Sequence, residues 1–349
     1  MNHKNMYKET FQVIRPSEEL KEKILNMENR TTGTKNGYVK RFSGMAAAIA
    51  AVVLMVGAVS FAVANHTVRN WLLTQWELYT GQSPSSGQKA EIARLSQQVD
   101  QGVTSDGVTV TVDSVTVSGE NYWILCRVSE GNFDHADYVL FPNVNFVNTD
   151  NPDLCLAADC SEKMATVDDD GILYFTLQGF VEVDMVDQRI DLSDGTWIMN
   201  INLSCMGIEE FCQEFYQNGS WELEDPAYSW EFEVPISSVA EDPEQNAVLE
   251  SVTVTARMRL TGEKKEVALE DIRITSAGMT YRIIGEDEDI SIDSPVLILK
   301  DGTRIEVNSM SLYGDTGQKE YQGICQWIAP IDLNDVAAVY IGETEIAIH

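Results

Sequence analysis

Histidine is scarce in this chain of 349 residues: His3, His66, His135 and His349 are the whole set. None of them sits in an H-E-x-x-H pattern, and no G-x-S-x-G, C-x-x-C or phosphate-loop signature occurs. A closely spaced Cys and His set of the zinc-binding kind is missing as well. The sequence therefore offers no catalytic residue, no cofactor-binding residue and no metal ligand, and the expectation is a protein that is not an enzyme. A nucleophilic pair of Cys126 or Cys155 with His135 is read as chance proximity in a strand-rich region.

Positive charge is the second shortage. Of 24 Lys+Arg and 55 Asp+Glu, residues 1–41 hold nine and five, which leaves 15 basic against 50 acidic residues from position 42 onward. A region this acidic repels nucleic acid and anionic lipid, so no direct nucleic-acid partner is expected, and solvation is the ordinary reason for the charge. The acids do not form a calcium loop by pattern. With Gly171 of Asp168-Asp169-Asp170-Gly171 at the sixth place of an EF-hand, the twelfth falls on Leu177 rather than an acid. A tight turn between strands accounts for that cluster, and a solvated loop for Glu286-Asp287-Glu288-Asp289.

Long uncharged runs are missing everywhere but one place. GMAAAIAAVVLMVGAVSFAVA, residues 44–64, has no charged residue, and about twenty apolar residues at 1.5 Å rise match the ~30 Å hydrocarbon core of a bilayer. Ala62-Val63-Ala64 resembles a small-x-small cleavage site, but a signal sequence has a shorter apolar region of about 7–15 residues. The reading is a transmembrane helix over 42–64 in contact with the lipid bilayer. Lys35, Lys40 and Arg41 precede it and Arg69 alone follows closely, which places the N-terminus in the cytoplasm and the C-terminal bulk outside the cell membrane. Trp71 and Trp76 are expected at the water–lipid boundary.

Residues 1–41 are patterned for helices too short to stand alone. Phe11 and Ile14 continue a stripe begun by Tyr7 until Pro16 stops it. Ser17 caps SEELKEKILNMENR, in which Leu20, Ile24, Leu25 and Met27 make the apolar side. Short isolated helices are marginal in water, so these six residues are the candidate partner-binding set, on a protein or on the inner leaflet.

Beyond the span, VRNWLLTQWELYT and SGQKAEIARLSQQVDQGV read as a helical connector over 65–102. From DGVTVTVDSVTV the period changes to two, with Val108, Val110 and Val112 on one face and a slip near Asp113-Ser114 that a bulge would give. NYWILCRV follows after a turn, with Cys126 facing the same way as Ile124 and Val128. YVLFPNVNFV, ILYFTLQGFVEV, TWIMNINLS and SWEFEVPI continue as strands, and GIEEFCQEFYQ interrupts them as a helix. AEDPEQNA, residues 240–247, marks a boundary, after which VLESVTVTARMRL restarts the alternation. In that segment Val248, Val252, Val254, Ala256, Met258 and Leu260 are expected to share a face. EVALEDIRIT, MTYRIIG, PVLILK, TRIEVNS, GICQWIAPI and VAAVYIG complete the series. The fold class is mainly β: two extracellular antiparallel β-sandwich modules, 103–238 and 246–349. Six cysteines, all after residue 64, permit disulfides; Cys155 with Cys160 and Cys205 with Cys212 are the nearest pairs, with free packed thiols equally open.

The order of elements resembles a known family. PSEELKEKIL, the apolar run, and LSQQVDQGVTSDGVTVTVDSVTVSGENYWILCRV are similar to the Gram-positive membrane proteins catalogued as domain of unknown function 4179, best over 17–130. Residues 248–346 resemble the immunoglobulin-like module often joined to them. The resemblance implies an anti-sigma-factor-like signal transduction protein whose tail binds an extracytoplasmic-function sigma factor and whose outer part senses an unknown envelope ligand. A membrane-anchored binding or adhesion protein is the competing expectation.

Overall fold

The computed structural model describes residues 68–348, apart from 132, 134–136, 153, 168–170, 182–191, 193–195, 219–225, 237–246, 260, 285–289 and 316–319. The tail, the apolar run 44–64 and both acidic clusters lie outside the described residues, Gly171 excepted. Among the described residues no helix is long and apolar enough to cross a membrane.

Two helices come first, α1 (Val68–Thr80) and α2 (Ser86–Leu95). The second stops at Leu95, seven residues short of the expected connector end. Ser96 is already extended, with φ −90° and ψ 131°, and opens a strand. The cause lies downstream: Asp106 and Gly107 both adopt positive φ, 46° and 80°, the conformation of a two-residue hairpin turn. That turn folds β1 (Ser96–Ser105) back on β2 (Val108–Ser118) and pairs Ser105 with Val108. Pairing with a strongly β-prone neighbour overrides the weak helical bias of SQQVDQGV.

The first module continues with β3 (Asn121–Glu130), β4 (Tyr138–Asn148), β5 (Cys155–Val167), β6 (Leu173–Val181), β7 (Trp197–Gly207), α3 (Ile208–Asn218) and β8 (Tyr228–Ile236). The expected strands and the helical interruption are all present, and β5 is added. All neighbours are antiparallel in the order β1-β2-β3-β6-β5-β4-β7-β8. This is one continuous sheet rather than two stacked ones. It curls until β8 meets β1 and the start of β2: Gln97 Nε2 donates to Pro235 O at 2.9 Å, Ser229 N to Ser105 Oγ at 3.1 Å, and Trp230 Nε1 to Val108 O at 3.0 Å. Closing in this way hides edge strands that would otherwise pair with other chains. The enclosed core holds Val110, Val112, Ile124, Cys126, Phe146, Leu177, Ile201, Trp230 and Phe232.

The second module is built from β9 (Ala247–Met258), β10 (Lys264–Ile274), β11 (Gly278–Ile284), β12 (Ile290–Ile292), β13 (Val296–Leu299), β14 (Arg304–Asp315), β15 (Glu320–Trp327), a 3-10 turn (Leu333–Asp335), β16 (Val336–Ile341) and β17 (Thr344–Ala347). Its order is β12-β9-β10-β11-β15-β14-β13-β16-β17. The sheet folds over at β14, whose residues 304–306 pair with β13 while those from Val307 on pair with β15. Thr344 Oγ1 reaches Thr253 O at 3.4 Å and draws β17 toward β9.

One expected face changes phase. Val254, Ala256 and Met258 point inward, but Val248 is 70% exposed, while Ala247 and Leu249 pack on the core. On β10 the buried set likewise passes from Val267 and Leu269 to Ile272 and Ile274. Both changes fall at the rung of Asp271, whose φ of 49° turns the paired strands over.

None of the six cysteines forms a disulfide. Cys155 and Cys160 lie five residues apart on one extended strand, about 16 Å at 3.3 Å per residue and on opposite faces, which prevents a bridge. Cys205 is buried at the end of β7, and burial pushes its thiol up to about 12.

Candidate functional site

The candidate partner-binding residues Phe11, Ile14, Leu20, Ile24, Leu25 and Met27 lie outside the described residues, as does His135. The region the described chain brings together is the junction where α1 and α2 meet both modules.

On α1, Val68, Trp71, Leu72, Gln75 and Trp76 are buried, a spacing of three, four, seven and eight that makes one stripe. Trp71 and Trp76 are therefore packed into protein rather than set at a lipid boundary. Their surroundings come from two modules: Trp123, Leu125 and Tyr174 of the first share one apolar cluster with Trp327, Ile331 and Leu333 of the second. The helix start is tied to the first module, where Val68 N donates to Ser114 Oγ at 2.5 Å.

The second helix is tied to the second module. Ser85 caps it by accepting from Gln88 N at 3.0 Å and donates to Asp335 Oδ2 at 2.9 Å. The buried Gln88 amide donates to Pro330 O and accepts from Asp332 N at 3.1 Å. A Cβ at Gly87 would meet the Asp332 carboxylate, which would have to turn aside. Between the helices, Gln82 Nε2 donates to Thr303 Oγ1 at 2.8 Å.

Behind the helices the modules touch directly. Gln326, on β15, donates its Nε2 to Tyr122 O at 3.1 Å and to Gly179 O at 3.0 Å, so one amide caps the rung that joins β3 to β6. Ser118 and Ser276 hydroxyls meet at 3.3 Å. Gly278 lacks room for a Cβ because Cys325 O and Asn121 Nδ2 crowd it. Nothing in the sequence distinguishes Gln326 from a solvent-facing residue of a strand; its role is set by the neighbouring module.

A charged group lies one residue from the α1 anchor. Asp113 is the extra residue of the β2 bulge anticipated at Asp113-Ser114, and β1 carries its own irregularity between Gln98 and Gln101. The Asp113 carboxylate is 1% exposed and lies 2.9 Å from Arg127 Nε, a charge contact without hydrogen-bond alignment. Burial raises its pKa to about 7; Arg127 opposes that rise and Asp100 adds to it.

The arrangement is mechanical in character: two β modules, a pair of helices wedged into their junction, and polar contacts between them. Among the described residues no group of three or more His, Cys, Asp and Glu is placed to hold a metal ion.

Comparison with known proteins gives little beyond one local match. No curated protein matches the chain. A crystal structure described as the conserved domain protein from Bacillus anthracis aligns at 11% identity over 70% of this chain and 75% of its own, with a TM-score of 0.40. S. aureus TarS aligns at 10% identity over 75% of this chain and 46% of its own, with a TM-score of 0.20. Scores this low assign neither fold nor function. Residues 37–130, which run through α1 and α2 to the last residue of β3, match the family described as Domain of unknown function (DUF4179).

Proposed function

We propose that this chain is a single-pass membrane signalling protein of the anti-sigma-factor kind. Residues 1–41 bind a cytoplasmic transcription regulator, an extracytoplasmic-function sigma factor; residues 42–64 span the bilayer; the two β modules lie outside and sense the state of the envelope. One observation carries the reading. The helix that begins four residues after the apolar run has Val68, Trp71, Leu72 and Trp76 buried at the junction of the modules. A span continuing into that helix is tied to the packing of the two modules, which is what a sensor needs in order to pass a change inward. The family match covers the same unit, from before the run to the end of β3.

The regulator docks on Leu20, Ile24, Leu25 and Met27, with Phe11 and Ile14 adding area, in the manner of an amphipathic helix laid in a groove. At about 25 cal/mol per Å², a few such side chains supply a few kcal/mol, enough for micromolar binding after ordering costs. No part of this scheme needs a catalytic residue, and the chain is proposed to act without one.

A pull-down with residues 1–41 as bait tests the reading. Recovery of a sigma factor by the native tail, lost with Leu20→Asp and Ile24→Asp, supports it. If the bait recovers none, and deleting the gene leaves sigma-dependent transcription unchanged, the chain is a membrane-anchored binding or adhesion protein instead. Protease treatment of intact protoplasts tests the orientation: the β modules are removed and the tail is spared.

A further inference from the structure

The first module encloses its own apolar core and the second shares its cluster with the helices, but the surface on which the modules meet behind the helices is largely polar. Ser118 and Asn121 of the first module face Ser276, Thr280 and Gln326 of the second, and all five are buried. Bonds that cross the seam are the Ser118–Ser276 hydroxyl contact at 3.3 Å and the two donations from the Gln326 amide. Asn121 Oδ1, Thr280 Oγ1 and Gln326 Oε1 are buried without a protein partner among the described residues. Parting the modules opens these groups to bulk water, so separation carries a smaller penalty here than along an apolar face. Apolar contributions along the seam are the Phe180–Ile324 pair, which stands apart from both main clusters, and Trp123, Leu125 and Tyr174, which join the cluster around the helices.

The apolar attachment lies with the helices. Trp71, Leu72, Trp76 and Ile92 share one cluster with residues of both modules, and side-chain bonds pin α1 to the first module and α2 to the second. The closed arrangement is thus a weakly satisfied polar seam held shut by a helical latch.

We propose that the two modules part along the β3/β6–β11/β15 seam as intact bodies, and that the parting unclamps α1. The proposal deepens the signalling reading by naming its moving part, yet it concerns the outer modules alone. Because α1 touches both modules, the coupling is reciprocal: whatever holds the seam closed holds α1, and tension on the chain before Val68 weakens the seam by the same free energy. A ligand bridging the modules favours the closed state, and one that prefers the separated faces favours release.

The test uses the full chain in detergent micelles and a thiol reagent, with labelling mapped by peptide mass. The thiol introduced by Thr280→Cys is expected to react at least about ten times faster than native Cys126 and Cys325, which lie in the cores of the two modules. A Ser118→Cys/Ser276→Cys disulfide, formed across the existing hydroxyl contact, is expected to suppress that labelling and to slow amide exchange of residues 68–80 by a similar factor. Gln326→Ala, which removes the amide without a new bond, is expected to accelerate both. Labelling at position 280 no faster than at Cys126 and Cys325 means that the seam opens only on global unfolding and overturns the proposal. So does a cross-link that blocks labelling while α1 exchange is unchanged, or a Gln326→Ala chain identical to the native one. None of these readouts depends on whether residues 1–41 bind a sigma factor, so the two readings fail separately.

Discussion

Asp113 illustrates how one buried carboxylate sets a pH dependence. Its pKa rises to about 7 because burial penalises the charged form more than Arg127 repays it, with Asp100 adding repulsion. The folded chain then holds the proton more tightly than the unfolded one, so stability is greatest below the unfolded value near 4 and falls as pH climbs to about 7, where the loss is complete. The gap of about three units corresponds to about 4 kcal/mol as an upper bound. Asp113→Asn is expected to flatten this slope: relative to the native chain, its urea midpoint rises more at pH 8 than at pH 5. Equal changes at both pH values would contradict the assignment. Gly323 makes a steric counterpart. It sits opposite Tyr281 on β11, whose fully buried ring covers the position a Cβ would take. Gly323→Ala is expected to cost about 1–3 kcal/mol in denaturant unfolding, since the ring has nowhere to move.

Elements were legible where their periodicity came from their own residues. The alternation Val108, Val110, Val112 and the slip at Asp113 describe β2 correctly because one face of that strand packs on its own module's core. The β1 strand was not legible as such, because SQQVDQGV is too polar to announce itself and only the Asp106-Gly107 turn makes it a strand. The short β12 and β17 carry too few residues for a period, and β5, CLAADCSEKMATV, breaks alternation with its charges. On α1, Trp71 and Trp76 stand out in the sequence and are expected there at a lipid boundary, since tryptophan suits a membrane boundary and a protein junction equally well. Burial here makes an energetic prediction: Trp71→Ala or Trp76→Ala removes a large side chain from a shared cluster and is expected to cost about 3–5 kcal/mol, read in chemical unfolding. At the next helix, Ser85→Ala loses a cap and the bond to Asp335, with an expected cost of about 1 kcal/mol.

At the scale of the molecule, the mainly β, antiparallel character was readable, whereas the way the two sheets join was not. A polar residue on a strand, such as Gln326, looks the same in sequence whether it faces water or another module's backbone. Curling of the first sheet into a closed form also leaves no local mark, because it depends on β1 and β8 meeting across more than a hundred residues. The geometry nevertheless separates two jobs: the first sheet encloses its own core, while α1 and α2 join the modules through the cluster they share with the second. Deleting residues 1–95 therefore tests which job the helices perform. If they act as a latch, the shortened chain keeps a strand-dominated circular dichroism spectrum, because the strand pairing within each sheet and the core of the first persist. Its radius of gyration by solution scattering rises as the modules separate, and tryptophan emission shifts to the red as Trp123, buried in the shared cluster, meets water. Loss of the strand signal would instead make the helices part of the folding core, and an unchanged radius would show that the polar seam holds the modules without them.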